Sequence, residues 1–154
     1  MNIIDISSHQ ASIDLAAVFA QNPLDGVIVK STQYGTKFPG NMYVNPYCDI
    51  WIQWLIANNK PWGFYHYLDG TNPVEEARLW IQHTLNYWGR GVPCADFEAN
   101  IVSRGGAKYL QQFLETAYAE TGVKPFVYCS LSTIQGQKKD FEPIAAAGYP
   151  LWLA

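Results

Sequence analysis

The stretch "VPCADFE" (92–98) is the main indication of the fold, because it is an apolar strand whose last residues include two acids, Asp96 and Glu98. Alternate residues of a strand share a face, so Asp96 and Glu98 are expected to point the same way, about 6.5–7 Å apart along the backbone. Like charges at that separation raise each other's cost of ionising. We therefore expect the two carboxyls to have a shared function at the end of this strand.

The same arrangement, an apolar strand followed by an amphipathic helix, recurs along the chain. Strands are predicted at 2–7, 26–32, 61–68, 92–98, 124–130 and within "YPLWLA" (149–154). Helices are predicted at 14–21, after Asn45-Pro46, after Asn72-Pro73, and around 109–118 with Gly122 as the C-cap; the stretch before Gly148 is expected to be less regular. Repeated βα units of this kind predict a parallel sheet covered by helices.

A reactive or aromatic residue ends strand after strand, and these positions favour a barrel. The residues are Asp5, Lys30, Thr32, Tyr65, Tyr67, Asp96, Glu98 and Tyr128. Such side chains converge on one rim of a TIM-type barrel. An open doubly wound sheet usually carries a glycine-rich first turn, and "DISSHQ" (5–10) contains no glycine. We predict an α/β fold, an irregular and incomplete TIM-type (β/α) barrel of about six strands, with residues 1–154 forming a single domain.

The amino-acid composition limits the kinds of molecule that the chain is expected to bind. A net charge of −3 without a lysine or arginine run gives no indication of nucleic-acid binding. Aromatic residues make up 15% of the chain, which fits either a bulky core or a cleft lined with rings that stack on sugars. Cys48, Cys94 and Cys129 are predicted to be buried free thiols, which indicates synthesis in the cytoplasm.

The start of the chain and its hydropathy set an expectation for localisation. Met1 leads into a predicted strand without a basic start or a long apolar stretch, so no signal peptide is expected. No segment reaches the roughly 18 apolar residues that a membrane span needs, so no membrane insertion is expected. A target outside the cell would then require another route of export.

The acid pair suits glycoside hydrolysis, which needs a protonated carboxyl beside the leaving oxygen and negative charge near the oxocarbenium-like centre. Ionised Asp96 is expected to raise the pKa of Glu98 and keep it protonated near neutral pH, with Asp5 as a third acid. Two alternatives stay open at this point. The pair could be strand-end residues bonded to loop backbone or to a surface arginine, or three carboxylates could hold a magnesium ion.

Six motifs, in this order, resemble the glycoside hydrolase family 25 lysozymes, the Chalaropsis-type muramidases often found as phage endolysins. They are "DISSHQ", "DGVIVKSTQYGT", "YVNPY", "GFYHYL", "DFE" and the closing "LWLA". The resemblance implies hydrolysis of the β-1,4 bond between N-acetylmuramic acid and N-acetylglucosamine in bacterial peptidoglycan. It implies no cofactor and no metal, and a site of action at the cell wall.

The resemblance also implies roles for individual residues. Glu98 matches the catalytic acid/base, Asp96 the carboxylate that orients the acetamido group, and Asp5 the aspartate of the opening motif. Tyr65 and Trp152 match aromatic positions expected to touch the sugar. Tyr67 and Tyr128, at the ends of neighbouring strands, complete the predicted substrate-binding set.

The chain departs from the family at its end. Family members continue past the equivalent of "LWLA" through strands that close the barrel, so we expect a truncated domain with an incomplete glycan groove. An unpaired last strand predicts self-association or complementation by another polypeptide. Two other functions stay open: an inactive wall-binding remnant, and a chitinase-like hydrolase, which "GVPCADFE" fits poorly because it has one aspartate only.

Overall fold

A sheet of six parallel strands and one antiparallel strand frames the molecule, a computed structural model that describes residues 2–154. The strands are β1 (Ile3–Ile6), β2 (Gly26–Tyr34), β3 (Met42–Val44), β4 (Trp62–Tyr67), β5 (Val92–Asp96), β6 (Phe126–Cys129) and β7 (Leu151–Leu153). Their order across the sheet is β1-β2-β4-β5-β6-β7, and β3 pairs antiparallel with β2. All six predicted strands are confirmed, whereas β3 was not predicted.

The sheet curls into a half-barrel whose edges are β1 and β7. Ile3 of β1 and Leu153 of β7 line one groove, although they lie on opposite edges of the sheet. The predicted α/β fold, an incomplete TIM-type barrel, is therefore confirmed. In a closed barrel, layers of side chains fill the interior; here the lower part of the concave face is an open apolar groove of about 420 Å³.

Seven α-helices cover the convex face of the sheet in the described part of the chain. They are α1 (Leu15–Gln21), α2 (Cys48–Ala57), α3 (Pro73–Thr84), α4 (Asn100–Arg104), α5 (Gly106–Thr121), α6 (Leu131–Gly136) and α7 (Lys138–Ala146). The Asn72 side chain accepts hydrogen bonds from the backbone N–H groups of Val74 and Glu75, as expected of an N-cap. Gly122 ends α5 in the left-handed conformation, with φ of 71°, which confirms its predicted role.

Two helical predictions are wrong. The helix predicted to begin behind Asn45 begins at Cys48, because the Asn45 side chain instead donates to the Lys30 carbonyl and accepts from the Tyr47 N–H. The stretch predicted to be less regular forms α6 and α7. Gly136 and Pro143 interrupt its sequence pattern, but Phe141 and Ile144 still pack into the core at helical spacing.

The core lies between the convex face of the sheet and the helices, and aromatic rings dominate its centre. Trp80 packs against Trp88 at 4.8 Å and against Phe113 at 5.5 Å between ring centroids. The three cysteines are buried and free, as predicted. Tyr118, on α5, is 44% exposed and lies beneath Lys124.

The edge strand β7 has no partner on its outer side among the described residues. Leu151 and Leu153 are 46% and 49% exposed there. Self-association or complementation through this strand stays a prediction. None of the helices in residues 2–154 has the length and hydropathy that crossing a bilayer requires.

Replacing Phe113 with alanine tests the aromatic core. Phe113 is fully buried and also stacks on His66, so we expect Phe113→Ala to lower the free energy of unfolding by about 3–5 kcal/mol. Leu85→Ala, at a position that is 68% exposed, is the control and should change it by less than about 0.5 kcal/mol. Urea titration followed by tryptophan fluorescence measures both; equal effects would contradict this core.

Candidate active site

A cavity of about 250 Å³ opens at the C-terminal ends of the parallel strands. Its lining residues are Asp5, Ser7, His9, Lys30, Tyr65, Tyr67, Cys94, Asp96, Glu98, Tyr128 and Trp152. All seven residues singled out from the sequence as site candidates are in this set. The structure thus brings together groups that lie up to 147 positions apart in the chain, from Asp5 to Trp152.

Backbone pairing places the central members of the cavity in one row. Tyr67 pairs with Asp96, Asp96 with Tyr128, and Tyr128 with Trp152 across β4, β5, β6 and β7. Paired residues of neighbouring strands share a face and lie about 4.8 Å apart. The row therefore places one acid between aromatic side chains, and the rings of Tyr128 and Trp152 meet edge to face at 5.2 Å.

The Asp-Phe-Glu sequence keeps its alternation beyond the end of β5. The strand ends at Asp96, but the N–H of Phe97 still donates to the carbonyl of Tyr128 at 2.9 Å. Phe97 is consequently buried in the core, whereas Asp96 and Glu98 both line the cavity. The expectation that the two carboxyls share a face holds, although Glu98 follows the strand rather than belonging to it.

Burial shifts the pKa of the Asp96 carboxyl in this cavity. Its side chain is only 8% exposed, and burial, followed by the charge of Glu98, raises its pKa to about 8. The ammonium of Lys30 lowers that pKa and the charge of Asp5 raises it further. The sequence placed the raised pKa on Glu98. The shift that the structure resolves belongs to Asp96, because Asp96 is the buried member of the pair and Glu98 is exposed.

One carboxyl oxygen of Asp96 is available to accept a hydrogen bond from a ligand. Its Oδ1 is buried and has no hydrogen-bond partner among residues 2–154. A buried polar atom without a partner is costly in a native structure. An N–H or O–H group of a bound molecule would satisfy this oxygen.

Lys30 is the cavity's ammonium group, and it comes from an otherwise apolar part of β2. Its Nζ donates to Gln33 Oε1 at 2.7 Å and lies 4.9 Å from the centre of the Tyr67 ring. Burial lowers the pKa of Lys30, while the charges of Asp96 and Glu98 raise it. From the sequence, Lys30 was expected on the rim but was given no role in the site. The signal that could have identified it as a site residue is its charge inside an apolar strand.

Thr32 does not reach the rim, contrary to the sequence expectation. The pairing of β2 with β4 shifts at Ser31, so that Lys30 pairs with Tyr65 and Thr32 with His66. This bulge turns Thr32 towards the helices, where its hydroxyl lies 2.7 Å from His66 Nδ1. An irregularity of one residue in the pairing therefore removes Thr32 from the site.

The tyrosines supply protonated phenols. Burial, with added effects from the neighbouring carboxylates, raises the pKa values of Tyr65, Tyr67 and Tyr128. Each phenol therefore stays a hydrogen-bond donor through the physiological pH range. Ser7, His9 and Cys94 also line the cavity and were not identified from the sequence.

Metal binding has no visible basis in the described residues. Residues 2–154 contain no group of three or more His, Cys, Asp or Glu side chains arranged to hold an ion. The prediction that the site uses no metal or cofactor stays a prediction.

Fold and site together define an incomplete (β/α)-barrel protein with an acidic, aromatic-lined cavity at the C-terminal strand ends, which is where barrel enzymes carry their active sites. The sequence model of glycosyl hydrolases family 25 matches residues 4–154. The chain belongs to this family. No curated protein sequence matches the chain significantly.

Solved structures show the same fold at low sequence identity. A family 25 lysozyme from Aspergillus fumigatus is 18% identical with a TM-score of 0.76, covering 97% of this chain and 74% of that one. The CTP1L endolysin is 24% identical with a TM-score of 0.70, covering 99% and 52%. The modular autolysin LytC from Streptococcus pneumoniae is 22% identical with a TM-score of 0.70, covering 89% and 34%. The chain thus spans about a third of the length of LytC.

The raised pKa of Asp96 predicts a pH dependence of stability. Folded Asp96 holds its proton up to about pH 8, whereas in the unfolded chain it releases it near pH 4. Between these values the folded state binds the extra proton, so stability contributed by Asp96 falls as the pH rises from about 4 to about 8. Asp96→Asn cannot ionise and should lack this fall.

Thermal unfolding at pH 5 and pH 8 measures the effect. We expect Asp96→Asn to gain several degrees over the wild type at pH 8 but little at pH 5, since 1 kcal/mol moves Tm by about 2–4 °C in a domain of this size. Asp140→Asn, at an exposed position of α7, should track the wild type at both pH values. Parallel pH dependences of the wild type and Asp96→Asn would refute the assignment.

Proposed function

We propose that the chain is a peptidoglycan hydrolase, an N-acetylmuramidase that cleaves the β-1,4 bond between N-acetylmuramic acid and N-acetylglucosamine. The observation that carries the proposal is the acid pair of Asp96 and Glu98, which shares a cavity with Asp5 and four aromatic side chains. Membership of glycosyl hydrolases family 25 supports it. So do the structural neighbours, which include muramidases and LytC in complex with a synthetic peptidoglycan ligand.

The pair of carboxyls provides the proton. With the pKa of Asp96 near 8, the Asp96 carboxyl holds a proton at neutral pH. When the N–H of an acetamido group donates to the free Oδ1 of Asp96, the ionised form of Asp96 is favoured. Asp96 then passes its proton to Glu98, which is exposed, lines the same cavity and is able to meet the glycosidic oxygen.

Bond cleavage follows from this placement. Glu98 protonates the leaving oxygen as its bond to the anomeric carbon breaks, and the acetamido oxygen of the sugar attacks that carbon from the other face. Ionised Asp96 stabilises the positive charge that develops on the acetamido group. Glu98, now a carboxylate, removes a proton from the water that opens the intermediate, which restores the starting state.

The remaining cavity residues bind the glycan. Tyr65, Tyr67 and Tyr128 present phenol donors, and the Trp152 indole forms one wall beside Tyr128. Sugar rings pack their apolar faces on such side chains while hydroxyls take the hydrogen bonds. The proposed partner is therefore the glycan strand of bacterial peptidoglycan, and the proposed place of action is the cell wall.

A second candidate function is wall binding without turnover, and the open side of the site favours it. The cavity of about 250 Å³ is smaller than most ligand sites, which measure about 300–1,000 Å³, and Trp152 also borders the open apolar groove below it. A substrate held on one side only would be bound but poorly aligned for reaction.

Glu98→Gln separates the two functions. In a muramidase this change removes the proton donor and should lower the rate of wall lysis at least about 100-fold, with wall binding retained. Loss of turbidity of a bacterial wall suspension measures lysis, and co-sedimentation with the walls measures binding. Glu142→Gln, at an exposed position of α7, is the matched control and should lyse like the wild type.

Two outcomes would decide against catalysis by Glu98. If the wild type binds walls without lysing them, the chain is a binding remnant. If Glu98→Gln lyses walls at the wild-type rate, another group supplies the proton.

A further inference from the structure

The backbone directly after Glu98 adopts a conformation that favours glycine. Ala99 has φ of 52° and ψ of −131°, in a region that L-residues rarely occupy. Such a conformation persists only when the surrounding structure holds it, and it is typical of functional sites. Ala99 leads into α4, where Ile101 is buried and the Val102 N–H donates to the Ala99 carbonyl at 3.3 Å.

Arg104, the last residue of α4, joins this segment to the loop that follows Tyr67. Its Nη2 lies 2.5 Å from the carbonyl oxygen of Asp69, 3.0 Å from that of Gly70 and 2.9 Å from Asp69 Oδ1, so its two N–H groups are shared among three acceptors. One guanidinium thereby connects the loops that carry two residues of the cavity. An ion pair at this degree of exposure contributes little by itself, so the two backbone acceptors matter more than the charge.

The loop that Arg104 holds is itself fixed to the core from the opposite side. Fully buried Glu76 accepts the N–H groups of Asp69 and Gly70 on Oε1, at 2.9 and 3.1 Å, and the Tyr109 hydroxyl on Oε2. A Cβ at position 70 would lie 2.5 Å from the Tyr109 hydroxyl oxygen, so only glycine fits there. Arg104 is therefore attached to a rigid anchor.

We propose that Arg104 is a positioning residue, which fastens α4 to the loop after β4 and so holds Ala99 in its positive-φ conformation, with the Glu98 carboxyl directed into the cavity. The inference rests on the proposed role of Glu98 as the acid. Without the three hydrogen bonds, Ala99 relaxes towards negative φ. That relaxation rotates the peptide group next to Glu98 and moves its carboxyl away from Asp96.

The position of Glu98 is measurable without any substrate. The charged groups that face Asp96 are Glu98, Lys30 and Asp5, and Glu98 has the largest effect among them. In Arg104→Met, movement of Glu98 away from Asp96 should lower the pKa of Asp96 by about half a unit or more, read by carbon-detected NMR titration of the carboxyl.

The direction of this shift is diagnostic. Loss of the positive charge at position 104 would by itself raise the pKa of Asp96, so a fall reports displacement of Glu98. Arg78→Met is the matched control, since Arg78 also forms a surface ion pair, with Glu120 at 2.6 Å on other elements, and it should leave the titration unchanged. An unchanged or raised pKa in Arg104→Met would overturn the proposal.

Kinetics of wall lysis give an independent reading. We expect Arg104→Met to lower kcat about tenfold with KM within about twofold, because misalignment of the acid affects the transition state more than binding. Arg104→Lys keeps a donor and should recover part of the loss, and Arg78→Met should behave as the wild type.

Ala99→Gly separates positioning from stability. Glycine adopts this backbone without strain, so Ala99→Gly should keep Tm the same or raise it by a few degrees, and Arg104→Met should lower kcat less in the Ala99→Gly background than in the wild type. An equal loss of kcat in the two backgrounds would overturn the proposal. A wild type without lytic activity would overturn the proposed function alone, since the titration of Asp96 still decides the position of Glu98.

Discussion

The register of the parallel strands is the constraint on which the site depends. Main-chain pairing of β4, β5, β6 and β7 places Tyr67, Asp96, Tyr128 and Trp152 side by side on the concave face. Because side chains alternate between the faces of a strand, a slip of one residue in β5 would exchange Asp96 for Ala95 and empty the cavity of its central acid. The hydrophobic convex face, which must meet the helices, fixes that register.

Burial then changes the pKa of Asp96, the acid in this row of side chains. The curled sheet removes Asp96 from water and leaves its Oδ1 without a partner in residues 2–154, while Lys30 and Glu98 lie in the same cavity with opposite charges. The result is a carboxyl that keeps its proton to about pH 8. The pairing of β2 with β4 is shifted by one residue at Ser31. Because of this shift, the side chain of Lys30 lies in the cavity and that of Thr32 lies in the core.

Hydrogen bonds also fix the loop after β4 at the rim of the sheet. Buried Glu76 accepts hydrogen bonds from the backbone N–H groups of the loop after β4, and Arg104 donates to the carbonyls of the same loop. The concave face below the cavity, in contrast, stays open along its apolar groove. A well-ordered set of acids thus borders a part of the sheet that lacks the side-chain layers of a closed barrel.

The sequence by itself determined the six parallel strands, the barrel-like sheet that they form and the seven residues that meet in the cavity, but not the antiparallel strand β3. Period-two alternation and strand-end chemistry are local properties, and they survive folding unchanged. Only the tertiary structure decided that Asp96 rather than Glu98 is the buried acid, that Thr32 leaves the rim, and that Ala99 adopts a positive φ beside Arg104. Burial, bulges and loop anchoring arise from contacts between segments distant in the chain, and no local pattern records them.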